Sequence, residues 1–262
     1  MVQQTQFVKV EKENQYAILT IDNPPLNVLS QQIFSELYEV FSELEQDDEV
    51  VAVLLTGAGE KAFAAGADIK EFPQMMGSSN LKETIMNGHR TLNFIDDFRK
   101  PTIAVLNGMT FGGGCELALS CDIRIAEEHS QLGLPEVALG LFPGGGGTQR
   151  LPRLVGPAKA KELMFTGKPI TAQEAEKIGL VNTVVEKGNG LSEAKKLAGT
   201  ITGYSLQALS RIKKAVNEGL QSSLDEGIDL EATLFAEVFR TEDIKEGVQA
   251  FIEKRKPSFK HK

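Results

Sequence analysis

The sequence has no tryptophan, two cysteines and three histidines. Cys115 and Cys121 form neither a C-x-x-C pair nor a metal-binding spacing, so we predict no disulfide and no metal site. No apolar run approaches the roughly 18 residues of a membrane-spanning helix, and the N-terminal segment lacks the apolar core of a signal peptide. These absences predict a cytoplasmic protein of bacterial type, or one of an organelle matrix after processing, without a membrane partner.

Positive charge is also scarce, because 28 Lys and Arg residues stand against 36 Asp and Glu residues, for a net charge of −8. A chain with this balance is a poor candidate for binding nucleic acid. Its 41% apolar and 24% charged residues are typical of a globular rather than a disordered protein. The length of 262 residues suits one large domain, or a domain with an appended region.

Several common catalytic motifs are missing as well. His89, His129 and His261 lie in no nucleophile or metal motif, and no G-x-S-x-G, H-E-x-x-H or Walker phosphate loop occurs. Residues 57–62 match G-x-G-x-x-A and come after a predicted strand, but residues 63–66 make a weak helix start. A dinucleotide site needs a helix that opens at those glycines, so an ordinary loop is the better interpretation.

The pattern of predicted secondary structure changes along the chain. Up to about residue 185, short β-rich runs alternate with helical stretches and glycine loops, whereas only helical patterns remain beyond about residue 190. Strands separated by helices favour right-handed crossovers and a largely parallel sheet. We therefore predict an α/β core over residues 1–190 and a helical region over residues 191–262. The patterns predict strands at residues 16–22, 50–56, 102–107 and 122–126, and helices at residues 30–46, 81–98, 192–200, 206–218, 224–239 and 241–254.

Three glycine-containing segments could carry chemistry. Residues 64–70 (AAGADIK) allow a ligand to approach the backbone closely, although a structural turn is the simpler interpretation of this segment alone. In residues 107–118 (NGMTFGGGCELA), a strand ends in glycines and a helix begins, which offers unpaired N–H groups to an oxyanion. Glu116 and Glu136 each fall near a predicted helix start, where a carboxylate can serve catalysis or merely suit the helix dipole. Residues 140–147 (GLFPGGGG) then contain more glycine and proline than a surface helix needs.

Taken together, these segments resemble the enoyl-CoA hydratase (crotonase) family. The matching stretches are KAFAAGADIKEF at residues 61–72, NGMTFGGGCELALSCDIRIA at residues 107–126, LPEVALGLFPGGGGTQRLPRLVG at residues 134–156 and the tail AFIEKRK at residues 250–256. The resemblance implies a crotonase-like spiral of ββα units followed by a C-terminal helical trimerisation region. It also implies a homotrimer or a homohexamer built as a dimer of trimers.

The resemblance further implies an acyl-CoA thioester substrate and no cofactor, since coenzyme A is part of the substrate. The thioester oxygen is expected to accept hydrogen bonds from the backbone N–H groups of Ala67 and Gly113, which form an oxyanion hole. Hydratases of the family carry two glutamates, which match Glu116 and Glu136. Similarity suggests that Glu116 activates the water and Glu136 delivers the α-proton, with the reverse assignment left open. The implied CoA-binding residues are Ala65, Ala67, Asp68, Ile69, Lys70, Gly113 and Lys254, and Phe72, Met75 and Met76 could line the acyl pocket.

We therefore predict an enoyl-CoA hydratase that reversibly converts 2-trans-enoyl-CoA to 3-hydroxyacyl-CoA in fatty-acid β-oxidation or related acyl-CoA catabolism. The closest alternative is another crotonase-type reaction, such as double-bond isomerisation or hydration of a specialised acyl group. An RNA-binding homologue is disfavoured because residues 30–46, the first predicted helix, contain no Lys or Arg. A non-catalytic scaffold is disfavoured by the presence of both glutamates.

Overall fold

The computed structural model describes residues 5–262. The strands are β1 (Val8–Glu13), β2 (Tyr16–Ile21), β3 (Ala52–Gly57), β4 (Ala62–Ala65), β5 (Thr102–Leu106), β6 (Met109–Phe111), β7 (Ile123–Glu127), β8 (Gln131–Gly133), β9 (Ile170–Thr171) and β10 (Thr183–Val185). The helices are α1 (Gln31–Glu45), α2 (Phe72–Met75), α3 (Leu81–Asp96), α4 (Gly113–Leu119), α5 (Gly147–Val155), α6 (Pro157–Thr166), α7 (Ala172–Lys177), α8 (Gly190–Ile201), α9 (Leu206–Gly219), α10 (Leu224–Val238) and α11 (Glu242–Ile252). Two 3-10 turns, Ile69–Glu71 and Glu136–Leu139, precede α2 and α5.

The strands form two sheets that the chain visits alternately. A six-stranded sheet has the order β1-β2-β3-β5-β7-β10, and a four-stranded sheet has the order β4-β6-β8-β9. Every pair is parallel except β1 with β2 and β8 with β9. The chain therefore repeats one unit three times, as β3-β4-α3, β5-β6-α4 and β7-β8-α5. This repeat is the predicted spiral of ββα units, and the prediction of a largely parallel sheet is confirmed.

The central strand β3 shows why the long apolar runs become strands. All six of its residues are buried, as expected for a parallel strand covered on both faces. Val53 and Leu55 belong to the apolar cluster that contains the inner face of α1, whereas Leu54 belongs to a second cluster with Ala194 and Ala198 of α8. Alternate side chains of one strand thus fill two cores on opposite faces of the sheet.

Local signals define the ends of the helices. The Ser30 side chain accepts a hydrogen bond from the Ile33 backbone N–H and begins α1, in agreement with the predicted helix at residues 30–46. Thr171 and Glu174 form a capping box at the start of α7. Gly179 follows α7 with a φ of +80°, a conformation that glycine adopts without strain.

The helical region beyond residue 190 attaches to the sheet in stages. Helix α8 packs directly on the sheet, whereas α9 and α10 approach each other closely at Gly219 and Gly227. A partly buried ion pair between Lys213 and Asp122, with an N–O distance of 2.9 Å, joins α9 to the start of β7. The division into a core over residues 1–190 and an oligomerisation region over residues 191–262 stays a prediction. Within residues 5–262, no helix is both long and apolar enough to cross a membrane.

Candidate active site

The first half of the site is the turn that follows β4. Gly66 has a φ of +88°, and Ala67 forms an isolated parallel bridge with Leu29. The two hydrogen bonds of this bridge run from the Leu29 N–H to the Gly66 carbonyl, at 2.8 Å, and from the Asp68 N–H to the Leu29 carbonyl, at 2.9 Å. Because neither bond uses the Ala67 N–H, this donor remains available to a ligand.

The second half is the start of α4. Gly112 adopts φ +51° and ψ −124°, and its N–H donates to the Gly133 carbonyl at 2.9 Å. Gly113 is the first residue of α4, so its N–H has no acceptor within the helix. A Cβ added to Gly113 would lie 3.5 Å from the Ala67 backbone nitrogen. The structure thus places the backbone N–H groups of Ala67 and Gly113, which the family resemblance implies as an oxyanion hole, close to each other.

Glu116 lies one turn into α4 and is only 4% exposed. Its Oε1 accepts hydrogen bonds from the backbone N–H groups of Gly145, at 2.7 Å, and Gly147, at 2.8 Å. Both positions need glycine, because an added Cβ would lie 2.5 Å from Oε2 at Gly145 and 3.0 Å from Oε1 at Gly147. The glycine run of residues 144–147 therefore serves to hold Glu116, and no protein donor among the described residues binds Oε2.

Glu136 begins the 3-10 turn that follows β8, and its carboxyl group lies beside the glycines of the first two segments. Its Oε1 would be 2.9 Å from a Cβ added to Gly112, and the same Cβ would be 3.6 Å from the Gly66 Cα. Its Oε2 is buried and has no hydrogen-bond partner within residues 5–262. A buried carboxyl oxygen without a donor is costly as part of a charged group. The Glu136 carboxyl group thus lies beside Gly112 and Gly66, the residues that precede Gly113 and Ala67, and close enough to Glu116 for their charges to interact.

The two glutamates lie in different electrostatic environments. Burial raises the pKa of Glu136 to about 7, and the nearby Glu116 carboxylate acts in the same direction. Burial also raises the pKa of Glu116, but the N–H groups of Gly147 and Gly145 and the charge of Arg150 oppose this shift by stabilising the ionised form. Such a pair can provide one proton acceptor and one proton donor near neutral pH.

The residues proposed to bind CoA fall in two places. Ala65, Asp68, Ile69 and Lys70 are contiguous with the Ala67 amide, and the Asp68 side chain accepts from the Lys70 N–H at 3.0 Å. Ile69 is 60% exposed, and Lys70 is exposed as well. Lys254 follows α11 with a φ of +55° and is exposed. No hydrogen bond or ion pair in the described chain joins Lys254 to the segment around Ala67.

The segment that follows the turn at Gly66 and Ala67 lines a cavity of about 280 Å³ between α1 and α3. Its lining residues are Gln31, Glu71, Gln74, Met75, Ser78, Leu81 and Thr84. Met75, one of the three residues proposed for the acyl pocket, is among them. Met76 is 76% exposed and, like Phe72, does not line this cavity.

The partners of Glu116 were not predicted from the sequence. The glycine run stood out as unusual backbone, but nothing in the pattern connected Gly145 and Gly147 with a carboxylate 29 and 31 residues earlier. Arg150, whose charge acts on Glu116, was likewise assigned no role. Among residues 5–262, no group of three or more His, Cys, Asp and Glu side chains could hold a metal ion.

Comparison with known proteins gives consistent matches over the whole chain. A family profile described as enoyl-CoA hydratase/isomerase matches residues 11–262. A short-chain-enoyl-CoA hydratase of Clostridium acetobutylicum is 47% identical over 250 residues, which cover 95% of each chain. A crotonyl-CoA hydratase of Syntrophomonas wolfei is 44% identical over 251 residues, covering 95% of this chain and 96% of that protein. The crystal structure of an enoyl-CoA hydratase from Bacillus anthracis, 38% identical, matches with a TM-score of 0.94 and covers 98% of this chain and 100% of that one.

The fold and these relatives define the chain as an enzyme with the crotonase fold. It belongs to the enoyl-CoA hydratase/isomerase family, whose members act on acyl-CoA thioesters. The family and the hydratase type of activity predicted from the three motifs are confirmed.

Proposed function

We propose that this enzyme adds water reversibly to a 2-trans-enoyl-CoA to give the 3-hydroxyacyl-CoA, with Glu116 and Glu136 as its catalytic residues. The observation that carries the proposal is the meeting of a buried carboxyl group, Glu116, and a half-buried one, Glu136, with the free amides of Ala67 and Gly113. The names of the two curated relatives, a short-chain-enoyl-CoA hydratase and a crotonyl-CoA hydratase, favour short acyl groups as substrates.

In this proposal the backbone polarises the substrate. The thioester oxygen accepts hydrogen bonds from the Ala67 and Gly113 N–H groups, and the dipole of α4 adds positive potential at the same point. Negative charge grows on this oxygen when a nucleophile adds to the β-carbon, so these donors stabilise the enolate more than the ground state. One such donor is worth about 3 kcal/mol in the transition state.

The two glutamates handle the protons. A water molecule attacks the β-carbon while Glu116, oriented by the Gly145 and Gly147 amides, accepts its proton. The π electrons of the double bond move to the α-carbon and the thioester oxygen, and Glu136 then gives its proton to the α-carbon. One hydroxyl and one hydrogen are thereby added across the double bond. The steps run in reverse for dehydration.

The direct test is turnover of crotonyl-CoA, followed by the loss of the conjugated enoyl thioester absorbance. We expect rapid hydration, with a product heavier by one water. A series of longer 2-enoyl-CoA substrates would measure chain-length preference, and a 3-enoyl-CoA would detect isomerisation. An enzyme that converts the 3-enoyl thioester but leaves crotonyl-CoA intact would contradict the proposal.

Gly113 offers a test of the oxyanion hole. Gly113→Ala places a methyl group 3.5 Å from the Ala67 nitrogen, where it competes with the thioester oxygen, while its other neighbours, Gly66 and Leu29, lie at an ordinary contact distance of 3.8 Å. We expect kcat/KM for crotonyl-CoA to fall by about 10²- to 10³-fold with an unchanged circular dichroism spectrum. Gly199→Ala, in an exposed part of α8 with no atom near the added methyl group, is the matched control and should leave turnover unchanged. Parent-level turnover by Gly113→Ala would argue against an oxyanion at this position.

The CoA moiety carries several negative charges, and so does the protein. Local cations must therefore oppose the net field at the binding site. We propose that Lys70, which follows the turn at Gly66 and Ala67, binds the nucleotide end of CoA together with residues 65 to 69. Lys254 contributes a second positive charge from the C-terminal segment. The proposed chemistry requires no cofactor, and a cytoplasmic location stays a prediction.

The helical region supports a homotrimer or a dimer of trimers. Large apolar side chains that are more than half exposed crowd its last three helices and their ends, namely Ile212, Val216, Leu220, Leu224, Ile228, Phe235, Phe239, Val248, Phe251 and Ile252. An exposed apolar surface of this extent is typical of a subunit interface.

Two negative charges introduced on this surface should disrupt the proposed oligomer. Phe235 and Phe239 pack against each other with ring centroids 5.4 Å apart, and both rings are more than 60% exposed. We expect the double variant Phe235→Glu, Phe239→Glu to shift the mass measured by light scattering towards the monomer, because the buried carboxylates would lack partners. Lys214→Glu, a charge change at an exposed position of α9, should keep the parent mass. A double variant with the parent mass would show that this surface is not the interface.

A further inference from the structure

Arg150 connects the glycine run that holds Glu116 with a distant helix. It lies in the first turns of α5, and its side chain is 14% exposed. The Nε atom donates to Asp96 Oδ2 at 3.0 Å, and Nη2 donates to Asn93 Oδ1 at 2.7 Å. Both acceptors belong to the end of α3. The guanidinium is therefore fixed at two points and cannot move freely.

The third side of the guanidinium lies against Gly146. A Cβ added to Gly146 would be 2.3 Å from Arg150 Nη1, so the guanidinium occupies the space of a side chain at this position. Gly146 also has a φ of +104°, which only glycine adopts readily. Its carbonyl accepts from the Arg150 backbone N–H at 2.8 Å. Arg150 thus holds Gly146 from both its side chain and its backbone.

Gly146 is the residue between the two amides that bind Glu116. Its neighbours Gly145 and Gly147 donate to the same oxygen, Oε1, at 2.7 and 2.8 Å. A rotation of the Gly146 backbone would turn at least one of these N–H groups away. The position of the Glu116 carboxylate therefore depends on how firmly Gly146 is held.

We propose that Arg150 is a positioning residue for the hydration reaction, which acts through Gly146 to fix the two amides that hold Glu116. This inference rests on the proposed function. Arg150 also brings a positive charge near the carboxylate, which favours the ionised form that accepts a proton from water. Both effects reach the substrate only through Glu116.

Other charged groups surround this pair and must be included in any pH experiment. Asp96 compensates part of the Arg150 charge, with Asp97 beside it and Lys213 of α9 acting from the other side. Glu136 faces Glu116 within the site. These residues keep their identity when Arg150 is replaced, but Asp96 loses its partner and its pKa rises further, so a comparison with the parent reports the guanidinium together with its effect on Asp96.

The kinetic test compares Arg150→Met with Arg150→Lys. We expect Arg150→Met to lower kcat for crotonyl-CoA by about ten- to a hundredfold with little change in KM, since displaced catalytic groups cost this much. The ascending limb of the kcat/KM profile, which reports ionisation of Glu116, should move to higher pH because a stabilising cation is lost. Arg150→Lys should restore the position of the limb but not the full kcat, because lysine lacks the planar guanidinium that donates to Asp96 and Asn93 while lying against Gly146.

Arg153→Met is the matched control. Arg153 lies on the same helix, carries the same charge, is exposed, and donates only to the Gln149 carbonyl within the described chain. Its replacement should change neither kcat nor the pH profile. A merely structural role of Arg150 would lower thermal stability without moving the ascending limb, and that result would overturn the proposal.

A second measurement does not depend on turnover. Hydrogen exchange at the Gly145 and Gly147 amides should be faster in Arg150→Met than in the parent, and unchanged in Arg153→Met. Unchanged exchange at both amides in Arg150→Met would overturn the positioning role whatever the reaction is. A parent enzyme that fails to hydrate any 2-enoyl-CoA would instead refute the proposed function. The exchange data would still test whether Arg150 restrains the Gly146 backbone.

Discussion

Glu116→Gln is expected to lower kcat for crotonyl-CoA hydration by about 10³-fold, within the range that general acid–base groups contribute. Glutamine keeps the Oε1 acceptor for the Gly145 and Gly147 N–H groups, so the local fold should persist. What it loses is the ability to accept a proton from water. The measurement is the decay of the enoyl thioester absorbance under saturating substrate.

The chain offers an unusually close control for this variant. Glu127 is also buried, at 6% exposure, and also accepts from two glycine amides, Gly188 at 2.8 Å and Gly190 at 3.2 Å. It performs the same structural task at the start of α8, outside the candidate site. Glu127→Gln should therefore retain parent turnover. Hydration at the parent rate by Glu116→Gln would show that Glu116 is not the base.

Glu136→Gln is expected to lower kcat by about 10²- to 10⁴-fold, because the amide has no proton to give to the α-carbon. The pKa of Glu136, raised by burial to about 7, sets the pH dependence of the parent. Below this pH the carboxyl group is protonated and can act as the acid. Above it the proton is lost, so kcat/KM should fall by about tenfold per pH unit.

The profile from pH 5 to 9 tests this assignment. The parent should show a descending limb near neutrality, and the residual activity of Glu136→Gln should lack that limb, since glutamine does not titrate. A parent profile that stays level up to pH 9 would contradict the role of Glu136 as an acid. If the descending limb persists in Glu136→Gln and disappears in Glu116→Gln, the two roles are reversed.

Elements with strong periodicity could be predicted from the sequence. Helix α1 and the buried strands β3, β5 and β7 agree with the predicted segments within two residues, because each combines a clear apolar pattern with polar or proline boundaries. The four C-terminal helices agree as well. The short strands of the second sheet were not predicted individually, since runs of two to four residues carry too little alternation to be distinguished from loops.

Helix α5 was missed for a different reason. It begins inside the glycine run, at Gly147, and contains Pro152, and glycine and proline are the two residues least favourable to a helix. It is held instead by contacts that only the tertiary structure supplies. Arg150 fastens it to the end of α3, and Leu151 is buried in the main core. Local propensity alone does not predict a helix of this kind.

For the site, the motifs identified the segments but not their connections. The resemblance placed Ala67, Gly113, Glu116 and Glu136 in one site, and the structure brings these four residues together. The links that orient them join residues far apart in sequence, such as Arg150 with Asp96, 54 residues earlier. Contacts of this range depend on how the spiral stacks, and no local spacing encodes them.

The proposed oxyanion donors belong to the main chain, and this has a consequence for mutagenesis. Truncating the Ala67 side chain leaves its N–H in place, so a scan that only shortens side chains would pass over half of the catalytic apparatus. Damage would come from the opposite kind of change, such as added bulk at a glycine, a proline that deletes an amide hydrogen, or an ester bond in the backbone. Mutational sensitivity in this enzyme should therefore appear at small residues as well as at the two glutamates.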